Sequence, residues 1–475
     1  MTSDSRTARQ QPDETTAGGT ALWLDPIRAV WQGWNRWWFE PVSTVPIGLF
    51  RIFYGAIILA FVALLVPDIQ AWFGRNGPFT PGDADRFWGE APHYSILLWF
   101  PSHSAIVVFF AVLALAAFCL MIGFWTRISA IVVFVGLVSI GYRNPLILHG
   151  GDTLLRLMAF YLVLAPAGSA LSVDRLRALA RGTAGRQPPL APPWATRLLQ
   201  LQVAFVYAMS AILKLKGVAW SGGTAIYYTS RLEEFHRFPM PFVSDSMLLV
   251  NLLTYWTLAT ELALAFLVWV PALRPFVLLN GVALHAGIEY SMNVPLFAFA
   301  AMISYITFIN VEGTWQRILT LPPLRSLSHA TLWVRTECRP CAATARVLLA
   351  LDLFHRLDVA LLTPPTTRDG AHNLPEPHLQ LDTTRGRKCG FAALCWLSWR
   401  LPLLWPFAPL LILPGMDHVY RRVATHLHAS RRLSKESSAQ DLRATTEAEL
   451  QSTSRPAGDG PDDRNTETSS STTTP

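Results

Sequence analysis

The sequence predicts a mainly α fold: a polytopic bundle of about eight transmembrane helices, followed by a smaller α/β domain. Three observations carry this reading. Of 475 residues, 51% are hydrophobic and only 15% are charged, against about 25% charged in ordinary soluble domains. Long apolar runs recur between residues 46 and 311. After about residue 325 the composition changes, and a strand–CxxC–helix–strand pattern follows. The 18 tryptophans fit a bilayer, because indole rings favour the membrane interface. The net charge of +7 reads as a bias of cytoplasmic loops. No basic patch interleaved with aromatics stands out, so the expected partner is the lipid bilayer and not nucleic acid. The five cysteines, Cys119, Cys338, Cys341, Cys389 and Cys395, are too few and too scattered for a secreted disulfide framework.

Residues 1–22 are polar and lack the apolar stretch of a signal peptide, so a disordered N-terminus is expected. In residues 23–45, Trp23, Trp31, Trp34 and Trp38 fall near helical spacing, with Arg28 and Arg36 between them. That pattern predicts an amphipathic helix lying on the bilayer, a soluble cap helix being the alternative. The spans are placed at 46–66, 104–123, 127–142, 153–171, 197–215, 249–271, 274–291 and 295–311. Each needs roughly 20 residues to cross about 30 Å of hydrocarbon. Residues 67–103 form a long connection whose glycines and prolines stop any helix. A re-entrant or interfacial helix is expected to begin at His93. The 172–196 loop carries Arg175, Arg177, Arg181 and Arg186 against one acid, Asp174, so it is placed in the cytoplasm, and both termini with it.

Polar residues inside apolar spans are the candidate sites, since a lone charge at mid-bilayer costs about 2.5–3.5 kcal/mol. Lys214 ends the apolar run of the fifth span, and Trp220 with Gly222-Gly223 breaks the chain just beyond it. A snorkelling lysine would look the same. Arg51 in the first span and Glu261 in the sixth are expected to form a structural ion pair. His149 precedes Gly150-Gly151, where Asp152 and Arg156 suit an i,i+4 pair. His285 and Glu289 share a helix face, but two ligands are too few for a metal site, and no metal is expected. With the orientation above, His149, Lys214, Trp220 and His285 all fall in the outer half of the membrane.

The segments GLFRIFYGAIIL, HGGDTLLRLMAFYLVLAP, RLLQLQVAFVYAMSAILKLKGVAWSGGTAIYY and LHAGIEYSMNVPLFAFAAMISYI resemble the HTTM family, which is related to vitamin K-dependent gamma-carboxylase. The resemblance covers about residues 40–315 within a domain set at 46–315, and its most specific part spans Val206 to Gly223. It implies a lysine base acting on a reduced quinone as cofactor. Lys214 is the matching position, with Lys216 as a neighbouring alternative. His149 and His285 match regions that carry family histidines, and Trp220 is the candidate cofactor contact. A desolvated lysine can serve as a base near neutral pH. The carboxylases also carry a large soluble region for binding the substrate propeptide, and nothing like it is visible here. The resemblance to bacterial members places the chain in a bacterial inner membrane.

Residues 330–431 read as strand, CxxC, helix, strand. Cys338 and Cys341 begin the helix, where its dipole favours a thiolate. The segment resembles the DCC (DUF393) family of thiol-disulfide oxidoreductases, which implies a thioredoxin-like fold and a thiol redox partner. That family usually has an aspartate before the first cysteine and a preceding Tyr-Asp-Gly, whereas Val334-Arg335-Thr336-Glu337 stand here. Cys389 and Cys395 are expected to pack in a helix. The run FAALCWLSWRLPLLWPFAPLLILPG is not counted as a ninth span, because Arg400, Pro402, Pro406 and Pro409 interrupt it. Residues 432–475 are Ser/Thr-rich and expected to be disordered. Three functions follow: a quinone- or lipid-linked enzyme with a thiol domain, a thiol oxidoreductase on an inert anchor, or a non-enzymatic binder or transporter of a hydrophobic ligand.

Overall fold

A computed structural model describes residues 18–185, 187, 189–319, 329–335, 339–352, 356–362, 379–384 and 386–429. The expected disordered N-terminus up to residue 17, the expected tail from 432, Arg186 and Cys338 lie outside the described residues. The chain divides into two compact units, Met1–Leu179 with Thr183–Arg325, and Ala180–Gly182 with Ser326–Pro475.

The first unit is helical. Its elements are α1 (Gly18–Phe39), α2 (Val45–Leu65), α3 (His103–Ile122), α4 (Thr126–Arg143), α5 (Gly150–Leu164), α6 (Trp194–Leu215), α7 (Met247–Leu262), α8 (Arg274–Ser291) and α9 (Phe297–Ser304). In hydrocarbon a backbone must satisfy its own N–H and C=O groups, so these apolar runs become helices. Their ends are set by residues that supply or release hydrogen bonds. Ser102 Oγ accepts from Ala105 N at the start of α3, and Ser246 Oγ accepts from Leu249 N at the start of α7. Pro46 and Pro275 stand in the first turns of α2 and α8, where a missing N–H costs nothing. Gly123, at φ +72°, closes α3 in the left-handed conformation that glycine adopts without steric cost.

Helices form at all eight expected places, but fewer qualify as spans. Among the described residues, five stretches are long and apolar enough to cross a membrane: Val45–Phe73, His103–Ile122, Thr126–Arg143, Trp194–Leu215 and Met247–Leu267. The fourth expected span ends early, since α5 has 15 residues and stops before Pro166. The seventh, α8, carries Asn280, His285 and Glu289. The eighth is broken, with an 84° bend between Phe297–Phe308 and Val311–Ile318. The N-terminal helix begins at Gly18, earlier than residue 23, and ends at Phe39. Val42–Ser43 (β1) then pairs antiparallel with Leu190–Ala191 (β2). The stretch after His93 gives only a four-residue helix, Ile96–Trp99, in place of a re-entrant one.

α2 lies in the core. Ile47, Phe50, Tyr54, Ile58 and Val62 form its buried face, against Ile106, Phe110, Leu113 and Leu120 of α3 and Leu155 and Met158 of α5. Arg51 sits on this face, fully buried, but not in the expected ion pair. Its Nη1 donates to Leu120 O at 2.6 Å and Met121 O at 3.1 Å, and its Nη2 to Leu171 O at 2.5 Å. The guanidinium thus caps the carbonyl end of α3, where a cation complements the helix dipole. A Cβ on Gly123 would come within 2.3 Å of Arg51 Nη1. Arg143 repeats the device, donating to Phe73 O, Gly74 O and Phe79 O at 2.9–3.0 Å. It holds the 67–103 connection against α4.

The second unit has a four-stranded sheet of Ala330–Arg335 (β3), Leu357–Leu362 (β4), Gln380–Thr383 (β5) and Gly386–Cys389 (β6) in the order β4-β3-β5-β6. β3 and β4 are parallel, joined across the Arg339–Leu351 helix. β5 pairs antiparallel with both β3 and β6. Leu332, Val334, Leu348, Leu381 and Leu397 form its core. Cys395 lies in the Phe391–Arg400 helix as expected, whereas Cys389 ends a strand. The interrupted run continues as a 3-10 segment, Pro402–Ile412, and contributes no span among the described residues.

Replacing Arg51 by methionine keeps the bulk but strands the Met121 and Leu171 carbonyls, whereas Leu120 O keeps its bond from Gly123 N. At about 1–3 kcal/mol per buried unsatisfied group, Arg51→Met is expected to lower stability by about 2 kcal/mol or more. A melting curve in detergent, set beside that of Glu261→Gln, reads this directly. Equal melting of Arg51→Met and wild type would show that the carbonyl clamp is dispensable.

Candidate functional site

The site is built on the last turns of α6. Tyr207, Ser210 and Lys214 follow at i, i+3 and i+7, a spacing that places them on one helix face. Lys214 Nζ donates to Ser210 Oγ at 2.8 Å and forms a short ion pair with Glu261 Oε1. Ser210 Oγ donates to the same carboxylate oxygen at 3.1 Å. The Trp220 ring faces Nζ, 5.1 Å from its centroid, a distance at which the ring quadrupole attracts a cation. The Lys214 side chain is 24% exposed and that of Glu261 only 7%. Glu261 Oε2 is buried with no hydrogen-bond partner among the described residues.

Glu261 stands at the end of regular α7. The next turn, Ala263–Leu267, is π-helical, with Val268 N bonded to Ala263 O. Such wide turns are costly and concentrate at functional sites. Beyond α6, Trp220 is carried by the short Val218–Ser221 helix. This stretch is tied to α7, since Asn251 Nδ2 donates to Gly223 O at 2.9 Å and Tyr255 OH to Ser221 O at 3.0 Å. α7 therefore holds both the carboxylate and the segment that places the indole.

One turn deeper on α6, the Tyr207 hydroxyl meets His285 Nε2 of α8 at 2.8 Å and the Tyr305 hydroxyl at 2.6 Å. All three side chains are buried. His285 Nδ1 has no hydrogen-bond partner among the described residues, and Phe297 packs edge-on to the imidazole, 5.6 Å between centroids. Glu289 does not complement His285. Its carboxylate pairs with Arg237, whose Nη1 also donates to Glu289 O at 3.0 Å. No group of three or more metal-ligating side chains occurs among the described residues.

His149 caps α5. Its Nδ1 accepts from Gly151 N at 3.0 Å, while Asp152 Oδ2 accepts from His149 N at 2.7 Å, a reciprocal capping box. The expected Asp152–Arg156 pair is absent. Asp152 turns back to the cap, and Arg156 Nη2 donates to Thr153 Oγ1 at 3.2 Å. A Cβ on Gly151 would lie 3.4 Å from Phe297 Cα, so the cap abuts the segment that covers His285. No hydrogen bond links His149 to Lys214 or His285.

The structure therefore joins Lys214 and Trp220, replaces the Arg51–Glu261 pair with Lys214–Glu261, and sets His285 in a neighbouring network on the same face of α6. Lys216 is exposed at the end of the helix. Ser210, Tyr207 and Tyr305 were not singled out from the sequence, although the 207-210-214 spacing was there to be read. In the second unit, Cys341 lies in the Arg339–Leu351 helix and is disulfide-bonded. Cys119, Cys389 and Cys395 are free thiols.

The cluster is suited to handling a proton. An ammonium and a carboxylate together are neutral, and moving one proton from Nζ to Oε1 gives an amine and an acid, again neutral. Removing one partner of a buried pair leaves an uncompensated charge, at about 3–5 kcal/mol. Lys214→Met and Glu261→Gln are each expected to be destabilised by that order, while the double substitution recovers most of the loss. A double-mutant cycle on detergent melting measures the coupling, and strictly additive losses would deny the pair.

The HTTM domain family matches residues 39–315. No curated protein and no solved structure matches the chain. The match spans more than half of the chain and covers the apolar helices that carry the Lys214 cluster, so the chain is an integral membrane protein that belongs to the HTTM domain family.

Proposed function

We propose that the first unit is a membrane enzyme in which Lys214 takes a proton from a lipid-soluble substrate, a reduced quinone being the best fit. The observation that carries this is the Lys214–Glu261–Ser210 cluster beside the Trp220 ring, polar and largely buried, with the Lys214 side chain still partly exposed. The residues suit a hydroquinone: Trp220 offers a flat apolar face, and Lys214 offers a base within reach of a phenolic proton. The substrate, as a two-electron donor, passes its electrons to dioxygen, the oxidant whose uptake reads the reaction. Glu261 accepts the proton that leaves Lys214, so that the amine can accept one from the substrate. Ser210 fixes both groups in register. The adjoining Tyr207–His285–Tyr305 network holds the lower wall in place and excludes water from it. Carboxylation of protein glutamates is not carried over to this chain.

A second reading is favoured by a separate observation. The disulfide-bonded Cys341 lies near the start of the helix that joins two parallel strands, and an antiparallel hairpin and a helix follow. That order supports a thioredoxin-like thiol-disulfide oxidoreductase, with Cys338 as the partner implied by the CxxC motif.

Oxygen uptake by the purified full-length protein after addition of a reduced naphthoquinone tests both readings. Wild type, Lys214→Ala and the Cys338→Ser/Cys341→Ser double variant are compared. Uptake that falls at least about 100-fold in Lys214→Ala, the order of loss when a general base is removed, with the elution profile unchanged, supports the base. Uptake independent of Lys214 overturns quinone chemistry. Insulin reduction lost only in the cysteine variant would then leave a thiol oxidoreductase on an inert anchor. If neither activity is seen and Lys214→Met still retains a bound hydrophobic ligand, the unit is a binder or transporter.

A further inference from the structure

A cavity of about 440 Å³ lies between α4 and α5, remote in sequence from the Lys214 cluster. The two helices are consecutive and antiparallel. Tyr142, Val138 and Phe134 recur every four residues along one face of α4, while Thr153, Arg156, Leu157 and Phe160 follow the matching face of α5. The result is a groove with a graded lining. At the end where the 144–149 turn joins the helices lie Tyr142, Thr153 and Arg156, with Tyr94 from the 67–103 connection. Toward the middle of α4 the lining becomes Val138, Leu157, Phe134 and Phe160. The last two pack at 5.7 Å and close the deep end.

The charge at the polar end is not used inside the protein. Among the described residues Arg156 has no carboxylate at ion-pairing distance, and its one hydrogen-bond partner is Thr153 Oγ1. Asp152, the nearest acid in sequence, is committed to the His149 cap. The guanidinium lies close against α4 at Gly141, where a Cβ would stand 2.4 Å from Arg156 Nη1. Aromatic rings of the 67–103 connection gather at the polar end. Trp88 packs edge-on to Tyr142 at 5.0 Å and donates its Nε1 to Tyr142 O at 2.9 Å. Such rings sit at headgroup level. From Tyr142 to Phe134 is about 12 Å of helix, the depth over which a lipid passes from headgroup to acyl chain.

We infer that this groove is a binding site for an anionic phospholipid, its phosphate on Arg156 and one acyl chain along Val138, Leu157, Phe134 and Phe160. A planar guanidinium offers two parallel donors to a phosphate. The Thr153 and Tyr142 hydroxyls flank it and add further hydrogen-bonding groups. Basic pockets between membrane helices take anionic headgroups by the same logic. The site is independent of the proposed chemistry at Lys214, and neither reading needs the other.

The test is lipid retention by the full-length protein, reconstituted in an equimolar mixture of phosphatidylglycerol and phosphatidylcholine of identical chains. Native mass spectrometry after detergent exchange counts what stays bound. Wild type is expected to keep phosphatidylglycerol in preference, one molecule per chain above the background. Arg156→Gln is expected to lose that preference by about tenfold or more, the loss that follows from removing one charge-assisted contact. Val138→Trp, which fills the groove and leaves Arg156 in place, is expected to lose it too. Equal retention of the two lipids by wild type would overturn the proposal without recourse to any variant. An unchanged preference in Arg156→Gln would overturn it as well. If inorganic phosphate displaces the lipid and protects wild type from melting as well as phosphatidylglycerol does, the site takes a free anion, and the lipid assignment fails.

Discussion

A buried cation in a membrane protein must be met by acceptors inside the protein, because the surrounding hydrocarbon offers none. Three cations obey this constraint here, and they do so in two ways. Arg51 and Arg143 are met by backbone carbonyls, three each. Lys214 is met by a carboxylate and a serine hydroxyl. The first solution is architectural. Carbonyl oxygens freed at a helix end or in an irregular connection need donors, and a guanidinium serves several at once. Arg51 thereby fixes the end of α3 to the segment after α5, and Arg143 fixes the 67–103 connection to α4. The bundle that displays α6 and α7 depends on these clamps.

The second solution leaves chemistry available. A carbonyl cannot take a proton, so Arg51 and Arg143 are static. A carboxylate can, and the Lys214–Glu261 pair therefore has two arrangements of one proton within a fixed geometry. Glu261 Oε2, buried and unbonded among the described residues, adds a further acceptor. The π-helical turn beside Glu261 and the ties from α7 to the Ser221–Gly223 stretch fit the same purpose, holding carboxylate, amine and indole together in a place where the helices are irregular.

The sequence shows where the helices lie and draws attention to Lys214 and Trp220, because apolar run length and a cation at the end of such a run are one-dimensional signals. It does not show what the charges inside the spans bind. Arg51 and Glu261 were matched because both are charges in apolar spans, yet the acceptors of Arg51 are carbonyls of Leu120, Met121 and Leu171, which leave no trace in a side-chain pattern. Hydrophobic periodicity tells which face of a helix is buried, but not which neighbouring helix meets it or at what height. For the same reason Asp152 was assigned to Arg156 along its own helix, when the free N–H at the start of α5 was the stronger claim on it. The span count failed at α5, α8 and α9, where helix length, polar content and a bend depend on packing. The Tyr207–His285–Tyr305 network joins three separate elements, and only the intrahelical part of it, 207-210-214, could have been seen.

Stability gives no reason for a lysine and a glutamate at the junction of α6 and α7. Replacing a buried ion pair by well-packed apolar residues is often neutral or stabilising, since desolvation of two charges offsets most of their attraction. The neighbouring core shows how readily this bundle is filled by Leu, Ile, Val and Phe. The arginine clamps have an evident structural duty, as each satisfies carbonyls that would otherwise be stranded. The Lys214–Glu261 pair and Ser210 satisfy only one another, leave one carboxylate oxygen without a partner among the described residues, and keep the lysine side chain partly exposed beside an aromatic ring. A feature that costs desolvation and returns no packing is the part of the molecule whose presence calls for an account in terms of chemistry, and the proton that the two groups can share supplies one.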